Sequence, residues 1–394
     1  MFNKQEMIRE VREVILPFWQ ELIDEENGGF FGETDFIGVP NKTADKGCIL
    51  NSRILWTFSA AFRIFEDDAY KKCALQARDF LRDAYLDKEH GGLYWLVDHK
   101  GKTLNDRKQF YNIAFGIYAL SEHYLATGDI TSLEIARQLF DVIEKYGFDA
   151  NNGGYIEARQ RDWSDIDDFR LSDKEINCPK SMNTNLHVLE AYTTYVLAEN
   201  HAAMYDGANK SLVLLTQATM DHIINDEWRF DLFFDMDWNV LTKDISYGHD
   251  IEGSWLLYDA ALTTGDQKII EKAGKVAVNV AEAVYRHGID LKNGGLFVER
   301  GDDGVLSSNK DWWSQAEAVV GFYNAYKLSG DAKYLKAAED IWEFAMKYFS
   351  DRKNGEWHNE IDENHIPIKS FPKASFWKCP YHNSRACFEM INRF

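Results

Sequence analysis

The sequence predicts an all-α fold in a single domain, residues 1–394, and three observations support this. A turn signature recurs at a nearly constant interval, each interval holds two helical segments, and the two segments differ in how apolar they are. A fixed repeat length indicates one supersecondary unit used several times. With only 6 prolines and no low-complexity stretch, the chain offers no obvious linker between domains.

The turn signature is a Gly-Gly or Gly-Glu pair followed by an aromatic residue or leucine. Such a pair predicts a tight turn that leads into a short strand. Its first glycines, Gly28, Gly91, Gly153, Gly294 and Gly355, are 63, 62, 141 and 61 residues apart. The long interval corresponds to two units, and we expect its missing turn at residues 231–234.

The first helix of each unit is apolar nearly all round, as in residues 113–120 (IAFGIYAL), whereas the second is amphipathic. A helix that is apolar on all sides is buried, and an amphipathic helix faces water. We expect the N-terminal helix, residues 3–24, to pair with the last first-type helix. Six inner and six outer helices, joined by short β-turn or hairpin loops, predict an (α/α)6 barrel. The expected inner-helix starts are near Asn51, Tyr111, Ser181, Ser246, Asn309 and Lys378.

Composition excludes several partners. The chain has 44 Lys and Arg against 64 Asp and Glu, a formal net charge of −20, which disfavours nucleic acid and anionic membranes. No secretory signal and no apolar run of about 18 residues is present. Five cysteines without a CxxC pair predict reduced thiols in the cytoplasm, with neither disulfides nor a zinc site. We expect a small-molecule substrate, no cofactor, no metal, and a monomer or weak homodimer.

In a closed ring the inner helices all begin at the same end, here called the mouth, and chemically reactive side chains cluster at those starts. Capping explains Asn, Ser and Asp at such positions. It does not explain three histidines and an arginine, because cations are disfavoured at a helix N-terminus. The residues we expect at the mouth are Arg53, Tyr111, Asn183, His187, His249, Glu252, Trp312, Trp313, Glu317, Trp377 and His382.

Two pairings are expected within this set, each with a structural alternative. His249 and Glu252 are three residues apart and share a helix face, so the carboxylate is expected to orient the imidazole; a surface ion pair is the alternative. A buried Arg53 needs either an anionic ligand or a structural partner, and Glu317 is the candidate partner. His187 and His382 fit catalysis or a hydrogen-bonded core equally well. Two histidines and an arginine in an aromatic mouth suit proton abstraction next to a carbonyl, with the guanidinium stabilising the oxyanion.

Five segments closely resemble the cellobiose 2-epimerases of the N-acylglucosamine 2-epimerase superfamily. They begin at Lys46 (KGCILNSRILW), Ser181 (SMNTNLHVLEAY), Ser246 (SYGHDIEGSWLL), Asp311 (DWWSQAEAVVGFYNAY) and Phe376 (FWKCPYHNSRAC). The resemblance implies an (α/α)6 barrel. It also implies reversible C2 epimerisation of a reducing-end glucose to mannose in β-1,4-linked disaccharides, through a ring-opened cis-enediolate.

The resemblance also implies a role for each residue. His249 and His382 are the acid/base pair, Glu252 tunes His249, His187 assists ring opening, and Arg53 contacts the enediolate. Sugar contacts are implied for Asn183, Tyr111, Trp377, Glu317 and one of Trp312 and Trp313. Gly253 departs from the alanine that we expect there, and this predicts looser packing behind His249.

Alternatives stay open. A mannose 2-epimerase for free monosaccharide, an N-acylglucosamine 2-epimerase and an aldose–ketose isomerase share the fold and the histidines; Gln315 beside the tryptophan pair favours a disaccharide. A glycoside hydrolase would need two carboxylates about 5–9.5 Å apart, and only Glu252 and Glu317 are candidates. A sugar-binding protein without catalysis would not need paired histidines.

Overall fold

The computed structural model describes residues 2–173, 175–203, 207–301, 304 and 306–394, and these residues are mostly helical. The all-α prediction is therefore confirmed. Within these ranges, helices that combine the length and the apolar character needed to cross a bilayer do not occur. All five cysteines are free and buried.

The inner helices begin within a few residues of the predicted starts, and their side chains are buried on nearly every side. In the second of them every residue from Phe110 to Tyr124 is buried, including polar ones. In chain order the inner helices are Cys48–Phe65, Phe110–Thr127, Met182–Ala202, Tyr247–Thr264, Trp312–Ser329 and Tyr381–Arg393.

The outer helices bury one face only. They are Asp68–Phe80, continued by a π-helical turn Leu81–Tyr85; Ile130–Tyr146; Gly207–Ala218, continued by a π-helical turn Thr219–Ile223; Gln267–His287; and Ala332–Tyr348. Most outer helices begin at an aspartate whose carboxylate accepts a backbone N–H, as Asp129 does from Thr131.

The N-terminal helical segment is shorter than predicted. It consists of Lys4–Glu10, a π-helical turn Val11–Ile15, and Leu16–Gln20. It packs against the last inner helix, as expected. Each inner helix contacts the next along the chain, and the last contacts the first.

Short antiparallel strands join the beginning of each unit to its end. Residues just before an inner helix pair with the segment that follows the outer helix of the same unit, so both ends of a unit meet at the mouth. The pairs are Lys46–Gly47 with Leu96–Val97, which also pairs with Thr103–Asn105; Lys108–Gln109 with Ala158–Arg159; Lys180–Ser181 with Phe233–Phe234; Ile245–Ser246 with Glu299–Arg300; and Lys310–Asp311 with Glu360–Ile361. Before the last inner helix, Ala374 and Thr34 exchange two hydrogen bonds of 3.0 Å in the same manner.

The recurring turn is held by an aspartate and a buried lysine. Asp149 accepts the backbone N–H groups of Asn151 and Asn152, and Lys180 Nζ lies 2.7 Å from its Oδ2. Both glycines of this turn have positive φ, and a Cβ on Gly154 would meet the Trp238 ring at 2.4 Å. Glycine is therefore needed there both for backbone conformation and for space.

The missing turn was placed wrongly. In the other units an isolated antiparallel β-bridge flanks the turn, as between Phe148 and Tyr155. In this unit the bridge joins Ile224 to Phe230, which places the turn between these two residues. Phe233–Phe234 is the strand that follows. This turn lacks the glycine pair; Trp228 takes the positive φ instead. Without glycines, the sequence pattern carried no signal for it.

Candidate active site

The mouth brings the expected side chains together from all six inner helices, and Arg53 lies on one side of it. Arg53 Nη2 donates to the Tyr111 hydroxyl at 2.7 Å, and its guanidinium lies 4.3 Å from the Phe115 ring centroid. Its Nη1 lies 3.7 Å from Cys379 Sγ, and its buried Nε has no partner. Arg53 thus makes no ion pair with a carboxylate among the described residues.

His187 lies beside this arginine and is held by a glutamate one turn further along its helix. The distance from His187 Nδ1 to Glu190 Oε2 is 2.9 Å. The imidazole packs edge-on against Tyr111, with ring centroids 5.0 Å apart, and near Phe115 at 4.9 Å. Both His187 and Glu190 are 3% exposed, so ring and carboxylate form a buried pair.

His382 is anchored by carboxylates. Its Nδ1 lies 2.7 Å from Glu317 Oε1 and 3.7 Å from Glu252 Oε1. Arg385, one turn along the same helix, donates from Nη2 to both carboxylates, at 2.7 Å and 2.5 Å, and also binds Glu190 and Tyr381. One buried guanidinium therefore links the carboxylates behind His382 to the carboxylate behind His187.

His249 has a different support. Its Nδ1 lies 2.7 Å from the hydroxyl of Ser246, the residue that caps its helix. Its ring packs against Trp313, with centroids 4.7 Å apart, and Trp313 also packs against His382 at 5.5 Å. One indole ring thus lies between the two histidines, which are brought in by the fourth and the sixth inner helices.

Burial shifts the titration of these groups. Burial lowers the pKa of His249 to about 3, and the positive charge of Arg53 acts in the same direction. For the same main reason the pKa of His382 lies well below its usual range. Both imidazoles are therefore neutral near pH 7, which is the form that accepts a proton.

Glu252 and Glu317, the two glutamates behind His382, are buried together beside one arginine, Arg385. Burial raises the pKa of Glu252 and of Glu317 to about 7, against the opposing charge of Arg385. Glu317 accepts hydrogen bonds from His382, from Arg385 and from Trp255 Nε1, the last at 3.2 Å. Glu252 accepts one from Arg385, and its buried Oε2 has no partner. We therefore assign the ionised form to Glu317 and the more easily protonated form to Glu252.

Two expected pairings are wrong. Glu252 contacts Arg385 and lies near His382, not His249, because its side chain turns toward the buried guanidinium. Glu317 is bound to Arg385, His382 and Trp255, so it is not the partner of Arg53. The spacing of His249 and Glu252 places both on one helix face, but the guanidinium of Arg385 on another helix determines where the Glu252 carboxylate binds.

Two further expectations also fail. Gln315 is fully buried and bonds the backbone of Leu296 on both sides, so its amide holds the turn and is not directed to a ligand. Gly253 does not loosen the packing, because the Phe230 ring fills the space: a Cβ at this position would lie 2.5 Å from it.

The remaining mouth residues differ in exposure. Trp312 is 6% exposed, lies edge-on to His382 and leaves its Nε1 without a partner. Trp313 and Trp377 are half-buried, and Trp377 packs edge-on against Tyr111 at 6.1 Å. Asn183 is half-buried, and its Oδ1 is a buried acceptor without a partner. These open polar atoms and aromatic faces suit a hydroxylated ligand.

Glu252, Glu317 and His382 place potential metal-ligand atoms within 4.8 Å of one another. Arg385 already occupies both carboxylates, and Glu317 is also bonded to the imidazole. The guanidinium therefore takes the position that a cation would need.

Arg385 and Glu190 were missed as site residues by the sequence reasoning. A usable signal existed: Glu190 follows His187, and Arg385 follows His382, by the same three residues that separate His249 from Glu252. Each is a charged residue on an otherwise apolar inner helix, and such a residue requires a buried partner.

Known proteins resemble this chain over nearly its whole length. A family model described as N-acylglucosamine 2-epimerase (GlcNAc 2-epimerase) matches residues 29–386. A cellobiose 2-epimerase of Bacteroides fragilis is 41% identical over 389 residues, 98% of both chains. The structure of a cellobiose 2-epimerase from Bacillus thermoamylovorans superposes with a TM-score of 0.93 at 38% identity, covering 99% of each chain. A D-mannose isomerase of Marinomonas mediterranea is 25% identical, over 95% of this chain and 93% of its own.

The family model and these relatives identify the chain as an epimerase, a class of isomerase, as the sequence predicted. The chain belongs to the N-acylglucosamine 2-epimerase family. The resemblance read from the five sequence motifs is confirmed.

Proposed function

We propose that this chain is a single (α/α)6-barrel domain, residues 1–394, that epimerises C2 of the reducing-end glucose in β-1,4-linked disaccharides such as cellobiose and lactose. The cyclic contacts among inner helices support the barrel. The cellobiose 2-epimerases at about 40% identity support the substrate class. The weaker match to a D-mannose isomerase makes a free monosaccharide the second candidate.

One observation carries the proposal: two neutral imidazoles from different inner helices flank one indole ring. The Nδ1 of His249 is bonded to Ser246 and that of His382 to Glu317, while neither Nε2 has a hydrogen-bond partner among the described residues. Each histidine therefore has its Nε2 available to a substrate, and its ring is oriented from behind. A substrate between two such atoms can lose its C2 proton on one face, and the planar intermediate that results can gain a proton on the other.

The supports also favour opposite starting forms. An ionised Glu317 only accepts, so His382 carries its proton on Nδ1 and presents a lone pair at Nε2. The Ser246 hydroxyl can donate to His249 Nδ1, which places the proton of His249 on Nε2. His382 then removes the C2 proton of one epimer and becomes the imidazolium. His249 donates its Nε2 proton to the opposite face while its Nδ1 takes the hydroxyl proton of Ser246. The proton held by His382 returns to Ser246 through solvent, so that both rings end neutral. In the reverse reaction the two exchange roles.

Arg53 is the proposed oxyanion stabiliser. Loss of the C2 proton from the open-chain aldehyde places negative charge on the C1 oxygen of the cis-enediolate. Arg53 makes no ion pair with a carboxylate among the described residues and is held by the hydroxyl of Tyr111. A positive charge without a carboxylate partner stabilises a developing oxyanion more strongly in a buried site than in water, because the buried site screens the interaction less.

His187 is the proposed ring-opening residue, because the pyranose must open before the C2 proton becomes acidic. Glu190 orients its ring from behind, as Glu317 does for His382. We propose Asn183 and Trp377 as sugar contacts, with Tyr111 positioning Arg53. No metal or cofactor enters this scheme, so activity should survive treatment with EDTA followed by dialysis.

The central test uses deuterium. In D2O the product epimer should carry deuterium at C2 from the first turnover, because each base exchanges with solvent. Replacing His249 or His382 by Asn should lower the epimerisation rate about 100-fold or more. One of the two variants should still exchange C2 hydrogen in the glucose-type substrate without epimerising it, and the other in the mannose-type substrate. Near-normal epimerisation by either variant would refute the two-base assignment.

Substrate length has its own test at the tryptophan pair. If Trp313 stacks on a second sugar, Trp313→Ala should raise KM for cellobiose several-fold, about 1 kcal/mol, and leave the reaction of free mannose unchanged. Trp312→Ala is the matched comparison, because Trp312 is nearly buried. If mannose turnover falls equally, Trp313 only packs the histidines, and the free-monosaccharide reaction becomes the better description.

A further inference from the structure

A second cavity lies at the opposite end of the inner helices from the histidines. Its volume is about 300 Å3, at the small end of the range for small-molecule sites, and five inner helices line it with their C-terminal halves. Trp56, Tyr118 and Trp255 contribute aromatic walls, and half-exposed Leu197 and Leu262 contribute to its apolar lining. We call it the rear cavity.

Four carboxylates line the rear cavity, and each is paired with an arginine. Glu122 binds Arg63 at 2.7 Å, Asp259 and Glu389 bind Arg393 at 2.9 Å and 3.0 Å, and Glu190 binds Arg385. Glu122, Asp259 and Glu389 each use one oxygen in these pairs. Their second oxygens have no hydrogen-bond partner among the described residues, and they can accept hydrogen bonds.

Two polar groups of residues that line the rear cavity have no partner. Trp56 is 5% exposed, and its buried Nε1–H is unpaired among the described residues. A buried indole N–H normally finds an acceptor, because leaving it unpaired costs free energy. The hydroxyl of Thr194, a half-buried lining residue, is likewise without a partner among the described residues.

These groups select among ligand charges. An anion would meet four carboxylates against the three arginines that pair with them. A cation would compete with guanidinium groups that already bind those carboxylates. A neutral molecule with several hydroxyls can donate to the free carboxylate oxygens, accept from the Thr194 hydroxyl, and place its C–H groups against the apolar wall. We propose that the rear cavity is a second binding site, separate from the mouth, for a neutral polyhydroxyl ligand of monosaccharide size.

The site borders the proposed catalytic groups through one residue. Glu190 lines the rear cavity, and its Oε2 is bonded to His187 at the mouth. The proposal itself does not depend on epimerase activity, because the free oxygens on which it rests belong to Glu122, Asp259 and Glu389.

The test uses methyl β-D-glucopyranoside, whose blocked anomeric carbon prevents ring opening and therefore prevents consumption by the proposed reaction. The protein is labelled with 15N at its indole nitrogens, and the Trp56 signal is assigned from its loss in Trp56→Phe. Adding the glucoside should shift the Trp56 N–H resonance saturably in the unaltered chain. Thr194→Trp, which fills the cavity, should abolish the shift; Thr194→Val, which keeps the volume, should retain it with weaker affinity.

Absence of a saturable shift would overturn the proposal, as would an unchanged shift in Thr194→Trp. A shift caused by guanidinium or ammonium chloride but not by the glucoside would make this a cation site and would equally refute the polyhydroxyl assignment. Epimerisation of cellobiose, measured on the same samples, should be unchanged in both Thr194 variants. That assay tests the proposed function separately, since it reports on the mouth alone.

Discussion

The surroundings of His249 and His382 differ more than their sequence contexts suggest. Both lie in the first turn or two of an inner helix, yet His382 is backed by Glu317, Glu252 and Arg385, whereas His249 is backed by the Ser246 hydroxyl alone. A carboxylate determines which imidazole nitrogen carries the proton, but a hydroxyl can donate or accept. The proposed pair therefore has one histidine whose tautomer is set by a carboxylate and one that can change its tautomer easily.

The largest effect is expected at Glu317. Glu317→Gln removes the charge that keeps the proton on His382 Nδ1 and weakens the contact with Arg385. We expect kcat for cellobiose epimerisation to fall about 10- to 100-fold, with little change in KM. Steady-state kinetics together with thermal unfolding will separate lost catalysis from lost stability. A variant with normal kcat would mean that the carboxylate does not support the reaction.

A smaller effect is expected at Ser246. Ser246→Ala removes the hydroxyl next to His249 Nδ1 and a helix cap, which costs about 1 kcal/mol of unfolding free energy. We expect kcat to fall several-fold, less than in Glu317→Gln, because solvent or another tautomer can replace a hydroxyl. Ser246→Thr, which keeps the hydroxyl, is the matched control. A larger loss than in Glu317→Gln would reverse the comparison.

Replacing Gly253, which lies behind His249, should lower folding stability more than it lowers the reaction rate. In Gly253→Ala the new Cβ would collide with Phe230, whose backbone N–H is bonded to Asp250 on the same helix. Overpacking of this kind costs about 1–3 kcal/mol. We expect a lower melting temperature and at most a small change in kcat. The double variant Gly253→Ala with Phe230→Leu should recover part of the stability, and failure to do so would place the strain elsewhere.

The smallest expected change is in titration. Burial and nearby positive charge hold the pKa of both His249 and His382 below the ordinary value of about 6.5. Lowering the pH from 8 to 5 should therefore leave both rings neutral in the ligand-free protein. The 15N chemical shifts of the imidazoles will report this directly, with an exposed histidine such as His287 as the internal control. Protonation of either ring near pH 6.5 would contradict the burial argument.

The same shifts have a consequence for stability. A histidine whose folded pKa lies below its unfolded value binds its proton preferentially in the unfolded chain. The contribution of His249 to folding stability is therefore complete above about pH 6.5 and is lost progressively as the pH falls toward about 3. Glu252 and Glu317 have raised pKa values in the folded chain, so they bind protons preferentially in the folded state. Their contribution to folding stability is complete below about pH 4.5 and is lost as the pH rises toward about 7.

Local patterns predicted the helices well, and long-range contacts limited the prediction of the site. The inner helices begin close to their expected positions because apolar periodicity and capping depend on neighbouring residues. The unit without a glycine pair was misplaced because Trp228 supplies the positive φ that glycine usually marks.

By itself the sequence determined the repeat, the alternation of buried and amphipathic helices, and the set of reactive residues at the helix starts. Each of these depends on spacing within one segment, which the chain order contains directly. Only the tertiary structure decided which carboxylate supports which histidine. Glu252 is three residues from His249, but Arg385, 133 residues away in the chain, holds it beside His382. Buried charges pair with the nearest opposite charge in space, because an unpaired buried charge costs more free energy than helix geometry can compensate.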